Sequence, residues 1–257
     1  MMVANERRIF MFPSELKRLA RLDMRETRPR VWWTALIYLA AATVLSLLIS
    51  RLSGYSAYMD NVRSLTQRIQ NLGIRTPEEL YALVESNMNA LLPSVSGLSS
   101  LMAAVLGLVY AMLEAGFSGY CLLVSRRAAS SPRDLMLSFE HPLKVFLILF
   151  LSGLFVFLWS LLLVIPGIVA AFRYSQAILI HYDHPEYSAW QCIRESCRMM
   201  KGRKAFLFLL VVSFLLWFLL DALIVSVIWI PVLQLFLAPY YGITMAHFYN
   251  RVSGMST

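Results

Sequence analysis

The chain is short of charged residues, since only 15% of its 257 residues are Asp, Glu, Lys or Arg, against about a quarter in soluble domains. Hydrophobic residues make up 59% instead. A soluble protein this apolar would aggregate, so the composition argues against that class and predicts a polytopic membrane protein. The net charge of +8 therefore does not indicate a nucleic-acid partner, because its meaning depends on where the charges lie.

Cysteine and catalytic motifs are scarce as well. The three cysteines are Cys121 in a predicted span and Cys192 and Cys197 in a loop predicted to be cytoplasmic, so we expect no structural disulfide. The sequence lacks a GxSxG elbow, an HExxH pair and a phosphate-binding glycine loop. It therefore predicts no enzyme, no catalytic residue and no cofactor.

Six apolar stretches are long enough to cross a bilayer as helices. They cover residues 32–50, 95–124, 145–165, 167–182, 205–228 and 232–249. Most of the 23 lysines and arginines lie in residues 1–31, 125–144 and 183–204, whereas the long 51–91 loop is electrically neutral overall. Because basic loops remain in the cytoplasm, we predict an all-α bundle of six transmembrane helices with both termini cytoplasmic.

Residues 1–31 form a basic cytoplasmic arm, which precedes a membrane domain over 32–250 and a tail over 251–257. The arm contains no apolar run long enough for a signal peptide. Ser14 can cap an amphipathic helix whose apolar face holds Leu16, Leu19 and Ala20. We expect this helix to lie on an anionic leaflet; a merely solvated basic helix is the alternative.

The 51–91 loop predicts a helical hairpin on the outer surface or against the bundle. Gly73 can end its first helix, and Thr76-Pro77 with Glu79 is typical of the start of a second. An apolar stripe then follows at Leu80, Leu83, Val84, Met88 and Leu91.

Residues 189–201 predict a second amphipathic helix on the cytoplasmic side. Ser188 and Gln191 have the spacing of a capping box, and Gly202 can end the helix. The predicted apolar stripe is Trp190, Ile193, Cys197 and Met200, and the basic side is Arg194, Arg198, Lys201 and Lys204. Such a helix binds anionic lipid at the interface or serves as a docking surface for another protein.

The sequence LWSLLLVIPGIVAAFRYS, residues 158–175, predicts two helices joined at Pro166-Gly167. Proline lacks an N–H and glycine tolerates a reversed backbone, so the pair is typical of a tight turn. Arg173 then follows within the second helix, where a cation needs a partner.

Three ionisable residues fall within predicted spans: Glu114, Arg173 and Asp221. Counted at 1.5 Å per residue from the cytoplasmic end of each span, Glu114 and Arg173 lie level, and Asp221 lies about one or two turns farther out. We expect Arg173 to pair with Glu114 first and with Asp221 second. The cluster is either a structural ion pair or a substrate or proton site in a polar cavity.

A metal site is a weaker alternative. His181, Asp183 and His184, with Cys192 and Cys197 downstream, could supply ligands. Their spacing is not that of a known site, and Asp183 with Pro185 is better explained as a turn where the helix ends. We therefore predict no metal.

Several of these motifs occur in one order along the chain. They are Leu158-Trp159-Ser160 with Ile165-Pro166-Gly167, Arg173-Tyr174-Ser175, Asp183-His184-Pro185, Met200-Lys201-Gly202, Pro239-Tyr240 and Phe248-Tyr249. Over most of residues 110–250, and at Leu16-Lys17 with Ala20-Arg21, the chain resembles an uncharacterised bacterial family of integral membrane proteins, domain-of-unknown-function family 975. The resemblance implies a multi-span protein of the bacterial cytoplasmic membrane, and it implies no reaction or ligand.

Two function classes follow. The first is a non-enzymatic membrane factor with a scaffolding, regulatory or export-assisting role, which contacts anionic lipid or a membrane-protein partner. The second is a small transporter or channel that uses Arg173, Glu114 and Asp221. A closed ion pair at Arg173 favours the first class, and a water-accessible cavity favours the second.

Overall fold

The computed structural model describes residues 12–27, 29–72, 76–86, 97–228 and 233–254, which contain helices and no strand. The α-helices are α1 (Pro13–Glu26), α2 (Arg30–Leu52), α3 (Tyr55–Leu72), α4 (Pro77–Ser86), α5 (Gly97–Ser125), α6 (Pro142–Leu162), α7 (Val164–Tyr174), α8 (Ala177–Asp183), α9 (Ala189–Met199), α10 (Lys204–Ile228) and α11 (Gln234–Ser253). A 3-10 helix, Pro132–Phe139, lies between α5 and α6. The all-α prediction is confirmed.

The chain divides into two compact units, residues 40–111 and residues 1–39 with 112–257. The smaller unit contains α3 and α4, the two helices predicted for the 51–91 loop. Thr76 caps α4, because its Oγ1 accepts a hydrogen bond from the N–H of Glu79 at 3.4 Å. Gly73, Met88 and Leu91 lie outside the described residues.

Five helical segments of the described chain are long and apolar enough to cross a bilayer. They are Arg30–Leu52, Gly97–Ser125, Pro142–Leu162, Val164–Asp183 and Lys204–Ser226. They coincide with the first five predicted spans. The sixth predicted span forms α11, which is not among the five, and its preceding turn at residues 229–231 lies outside the described residues.

Helix α11 lies in the interior of the larger unit. More than half of its residues are buried, including Tyr240, His247 and Asn250. Gly242 allows α5 to approach, since a Cβ at this position would come within 2.6 Å of Cys121 Sγ. Polar residues are tolerated in a helix that protein surrounds on most sides, because its side chains find protein partners instead of lipid.

Helix α1 forms where it was predicted, but Ser14 does not cap it, because the helix begins at Pro13 after Phe12 and no side chain caps its start. Its apolar face is covered by protein and does not lie against lipid. Leu16, Ala20, Asp23 and Met24 are buried, and α1 packs against α11. Lys17 Nζ donates a hydrogen bond to the carbonyl of Ser213 on α10 at 2.9 Å. An amphipathic sequence specifies an apolar face without saying whether protein or lipid covers it, and here the protein does.

The buried face of helix α9 also differs from the predicted apolar stripe. The capping box between Ser188 and Gln191 is formed, but Trp190 is 57% exposed. The buried positions are Ala189, Cys192, Ile193, Ser196 and Met200. The stripe is shifted because small side chains at 189, 192 and 196 let α9 pack closely against α6, α7 and α8.

The α6–α7 hairpin turns at Leu163, which has extended backbone angles, and not at Pro166-Gly167 as predicted. Pro166 lies in the first turn of α7, where a missing N–H costs no intrahelical bond. Gly167 faces Ser160 of α6, and a Cβ at this position would clash with the Ser160 side chain. The glycine therefore permits the helices to cross closely.

Candidate functional site

A cavity of about 660 Å³ lies among the membrane helices of the larger unit. Its walls come from α5, α7, α8, α10 and α11, with Tyr38 of α2 at one side. The polar groups that line it are Glu114, Ser118, Ser175, Gln176, Gln234 and two tyrosines, Tyr38 and Tyr241. Neither lysine, arginine nor histidine contributes to the described lining.

Glu114 is the acidic residue of this cavity. Its side chain is accessible, and it has neither a hydrogen bond nor an ion pair within the described residues. The ring of Tyr38 stacks on Phe117, one turn along α5, with centroids 4.1 Å apart. The cavity therefore combines one unpaired carboxylate with aromatic and apolar walls.

Arg173 does not join this cavity, and the predicted pair with Glu114 is not formed. No ion pair within the described residues joins Arg173 to Glu114 or to Asp221, and Arg173 is exposed. Counting along a helix fixes depth but not direction. The cavity-lining positions around the end of α7 include Ala171, Phe172 and Ser175, so at 100° per residue Arg173 points away from them.

The backbone of Arg173 has a structural role instead. The hydroxyl of Ser196 on α9 donates a hydrogen bond to the Arg173 carbonyl at 2.9 Å and accepts one from the Gln176 N–H at 3.2 Å. These bonds satisfy backbone groups where α7 ends and α8 begins. Ser196 thereby holds the break that shapes one wall of the cavity.

Asp221 lies beside the cavity rather than one or two turns beyond Glu114. It is 5% exposed, and its Oδ2 accepts a hydrogen bond from Gln234 Nε2 at 3.0 Å. Its Oδ1 is buried without a hydrogen-bond partner among the described residues. Gln234 also lines the cavity, so one amide separates Asp221 from the space that Glu114 faces.

A second group of polar residues, the polar network, joins the ends of α5, α8 and α11. It consists of Ser125, Arg126, Asp183, Tyr249 and Asn250. Arg126 donates to both oxygens of Asp183, with Nη2 2.8 Å from Oδ2, and its Nε donates to Asn250 at 2.9 Å. Tyr249 donates to the same Asp183 Oδ2 at 2.6 Å.

The position of Arg126 follows from the helices around it. Three helix C-termini converge here, and their dipoles favour a cation. The hydrogen bonds with Asp183 raise the pKa of Arg126 above its ordinary value. The network is therefore a fully paired ionic site that fixes three helices together.

The α1 cluster, defined as Asp23, Glu26, Arg127 and His247, attaches the first helix. His247 Nε2 lies 2.6 Å from Asp23 Oδ2 in a buried contact, and Arg127 reaches Asp23 and Glu26 at 3.4 and 3.2 Å. Arg127 has a φ of 54°, the left-handed conformation that usually requires glycine at a helix C-terminus. Its side chain thus bridges α5 and α1 from a strained backbone position.

Sequence reasoning missed the partners in both of these sites. One signal was present: Asp23 shares a helix face with Leu16 and Ala20, and a carboxylate on a buried face needs a partner. His247 and Asn250 were a second signal, since they are polar residues at or beyond the end of an apolar stretch.

The predicted basic residues lie largely at the surface. Arg194 and Lys201 are exposed and Lys204 is half-buried, whereas Arg198 pairs with Glu195 at 2.8 Å. The alternative metal ligands are engaged elsewhere, because Asp183 belongs to the polar network and His184 contacts Glu186 at 3.1 Å. In the described part of the chain, no three His, Cys, Asp or Glu side chains come together as a metal would require.

Comparison with known families identifies the C-terminal part of the chain. Residues 160–256 match the family described as "Protein of unknown function (DUF975)", which confirms the resemblance for that part. The resemblance predicted for residues 110–159 and for Leu16–Arg21 lies outside the match and stays a prediction. The match contains Asp183, Asp221 and Gln234 but not Glu114. Neither a curated protein nor a solved structure matches the chain.

Proposed function

We propose that this DUF975-family membrane protein binds an amphipathic organic cation in the cavity beside Glu114 and moves it across the bilayer, without catalysing a reaction. The observation that carries the proposal is the Glu114 carboxylate, which lines an apolar cavity with no ionic partner among the described residues. A carboxylate removed from water is costly unless a cation accompanies it. The cavity therefore favours a positively charged ligand.

The remaining lining supports the same class of ligand. Phe117, Phe172, Phe218 and Tyr241 line the cavity, and aromatic faces attract organic cations. A volume of about 660 Å³ lies within the range of about 300–1,000 Å³ typical of small-molecule sites. Apolar walls would accommodate the hydrocarbon part of such a ligand.

Binding of tetraphenylphosphonium to the purified protein tests the proposal, because this cation is permanently charged and apolar. Removing the carboxylate with Glu114→Gln should weaken binding at least tenfold, equivalent to about 1.4 kcal/mol. Equilibrium dialysis in detergent measures the affinity, and uptake into proteoliposomes distinguishes transport from binding alone.

The matched control is Glu85→Gln, which makes the same charge change at an exposed position on α4. This variant should bind the cation as the unmodified protein does. Equal affinities of the unmodified protein and Glu114→Gln would reject Glu114 as the cation site.

A second candidate function is a membrane factor that acts through contacts with anionic lipid or a membrane-protein partner. The exposed basic residues favour it: Arg18, Arg21 and Arg25 on α1, and Arg194 and Lys201 near α9. Each contributes about 1 kcal/mol beside an anionic surface. Anionic nanodiscs should therefore raise the thermal stability over neutral ones, and Arg194→Gln with Lys201→Gln should reduce that difference.

This second test uses the whole protein, because α9 packs within the bundle and a peptide would expose an apolar face that the protein buries. An equal effect of anionic lipid on the double variant would argue against these two residues as lipid contacts.

We further propose that α11 is the sixth span, that both termini are cytoplasmic and that the chain resides in the bacterial cytoplasmic membrane. The support is the excess of basic residues in the arm and in the loops after α5 and α8. Single cysteines replacing exposed Tyr81 and Lys201, in a variant without the native cysteines, test the sidedness. An impermeant thiol reagent on intact cells should label position 81 and not 201; the reverse pattern would invert the topology.

A further inference from the structure

Asp221 is a buried acid of the larger unit that takes no part in the proposed function. It is 5% exposed, and within the described residues it contacts neither lysine, arginine nor histidine. One carboxylate oxygen, Oδ2, accepts from Gln234, while Oδ1 is buried with no partner. A buried carboxylate in this situation is stabilised by binding a cation or a proton.

Gln234 connects Asp221 to the cavity. Its side chain both bonds to Asp221 and lines the cavity. An amide has one acceptor oxygen and one donor NH₂ group, so its two ends present opposite polarity. When the NH₂ group donates to an ionised Asp221, the amide oxygen is left to face the cavity, which favours a cation there.

Protonation of Asp221 reverses this arrangement. A neutral carboxyl group carries an O–H donor, which the amide oxygen accepts after a rotation of the Gln234 side chain. The NH₂ group then faces the cavity and disfavours a cation. The amide thereby couples the charge of Asp221 to the occupant of the cavity.

The two acids lie at the same level. Helices α5 and α11 run parallel, because Cys121 packs on Gly242 and Ser125 accepts a hydrogen bond from Asn250 at 2.9 Å. Glu114 and Gln234 each precede the Cys121–Gly242 contact by about 10 to 12 Å along their helices. A cation beside Glu114 would therefore also be close to Gln234.

We propose that Asp221 is a proton site coupled to the cavity, so that binding of an organic cation expels the Asp221 proton to solution. The inference rests on the proposed function for its ligand. The described titratable groups that face the cavity are Glu114, Tyr38 and Tyr241, of which Glu114 is the competing source of a proton. Linkage makes the effect reciprocal, so a higher pH should strengthen cation binding.

Proton release on adding tetraphenylphosphonium to weakly buffered protein tests the coupling, since the probe itself does not titrate. The unmodified protein should release up to about one proton per bound cation. Asp221→Asn, which keeps a partner for Gln234, should bind the cation and release none. Gln234→Leu should weaken the release, while Asp60→Asn, an exposed acid on α3, should not change it. Undiminished release by Asp221→Asn would assign the proton to Glu114 and overturn the proposal.

An infrared measurement without ligand keeps the two proposals separate. The C=O stretch of a protonated carboxyl group should be present in the unmodified protein, absent from Asp221→Asn and retained in Glu114→Gln. If the unmodified protein shows no such band that Asp221→Asn removes, Asp221 holds no proton and the inference fails. If the band is present but tetraphenylphosphonium does not bind, the proposed function fails and the proton site stands.

Discussion

The polar network and the cavity place acids in very different surroundings. In the polar network both oxygens of Asp183 bond to Arg126, and Tyr249 donates to Oδ2 as well. In the cavity the Glu114 carboxylate has no hydrogen-bonded partner among the described residues, and beside the cavity Asp221 keeps one oxygen unpaired. Paired charges hold helices together, whereas unpaired ones leave interactions available to a ligand. The contrast separates the polar network, which stabilises the bundle, from the cavity, which is proposed to bind an organic cation.

The largest expected effect comes from breaking the polar network. Asp183→Asn or Arg126→Met should lower the free energy of unfolding by about 3–5 kcal/mol, because each leaves a buried group without its ionic partner. The side chains are 5% and 24% exposed, so solvent screening is limited. Denaturant unfolding in detergent measures the loss.

The double variant serves as the control for this prediction. Its loss should be clearly smaller than the sum of the two single losses, because neither charge then remains unpaired. Strictly additive losses would show that Arg126 and Asp183 do not stabilise the protein as a pair.

Changes at Glu114 should have the opposite sign. Without ligand, Glu114→Gln should raise the free energy of unfolding by about 1 kcal/mol, since it removes an unpaired carboxylate from an apolar cavity. Arg173→Leu should not couple to it, because the two residues form no ion pair. Thermal melting of both single variants and the double variant checks this. An interaction free energy above about 1 kcal/mol between the two substitutions would show that Glu114 and Arg173 form the ion pair predicted from the sequence.

The Arg173 case shows what the sequence could supply. Apolar runs predicted the five long helices, and the Ser188–Gln191 and Thr76–Glu79 spacings predicted helix starts, because these signals are local. The partner of a charge depends on the direction in which a helix faces, which residue counting does not fix. The apolar faces of α1 and α9 were likewise recognised, but α1 was assigned to lipid and α9 to lipid or a separate protein partner, because hydropathy does not distinguish lipid from the protein's own interior.

A smaller change in stability is expected from backbone strain in the α1 cluster. At Arg127, Gly should give a protein about 1 kcal/mol more stable than Ala, because only glycine adopts a φ of 54° without cost. Both variants lose the contacts to Asp23 and Glu26, so their comparison isolates the backbone. Equal melting temperatures would show that this position carries no strain.

The smallest effect concerns thiol reactivity. Burial raises the pKa of Cys192 to about 11, so little thiolate is present at neutral pH. Cys192 and the buried Cys121 should resist maleimide in the folded protein, while the half-buried Cys197 reacts first. Mass spectrometry of the labelled peptides measures the order, and equally fast reaction of Cys192 would contradict its burial.

The contrast between the two regions is tested most directly by labelling carboxyl groups with dicyclohexylcarbodiimide, a reagent soluble in apolar surroundings, followed by peptide mass spectrometry. Glu114 should be modified through its transiently protonated form, since the reagent reacts with the carboxylic acid, and tetraphenylphosphonium should protect it, because the cavity is accessible and the side chain has no described partner. Asp183 and Asp23 should remain unmodified within their ionic contacts. An inert Glu114, or modification of Asp183 at the same rate, would contradict the account.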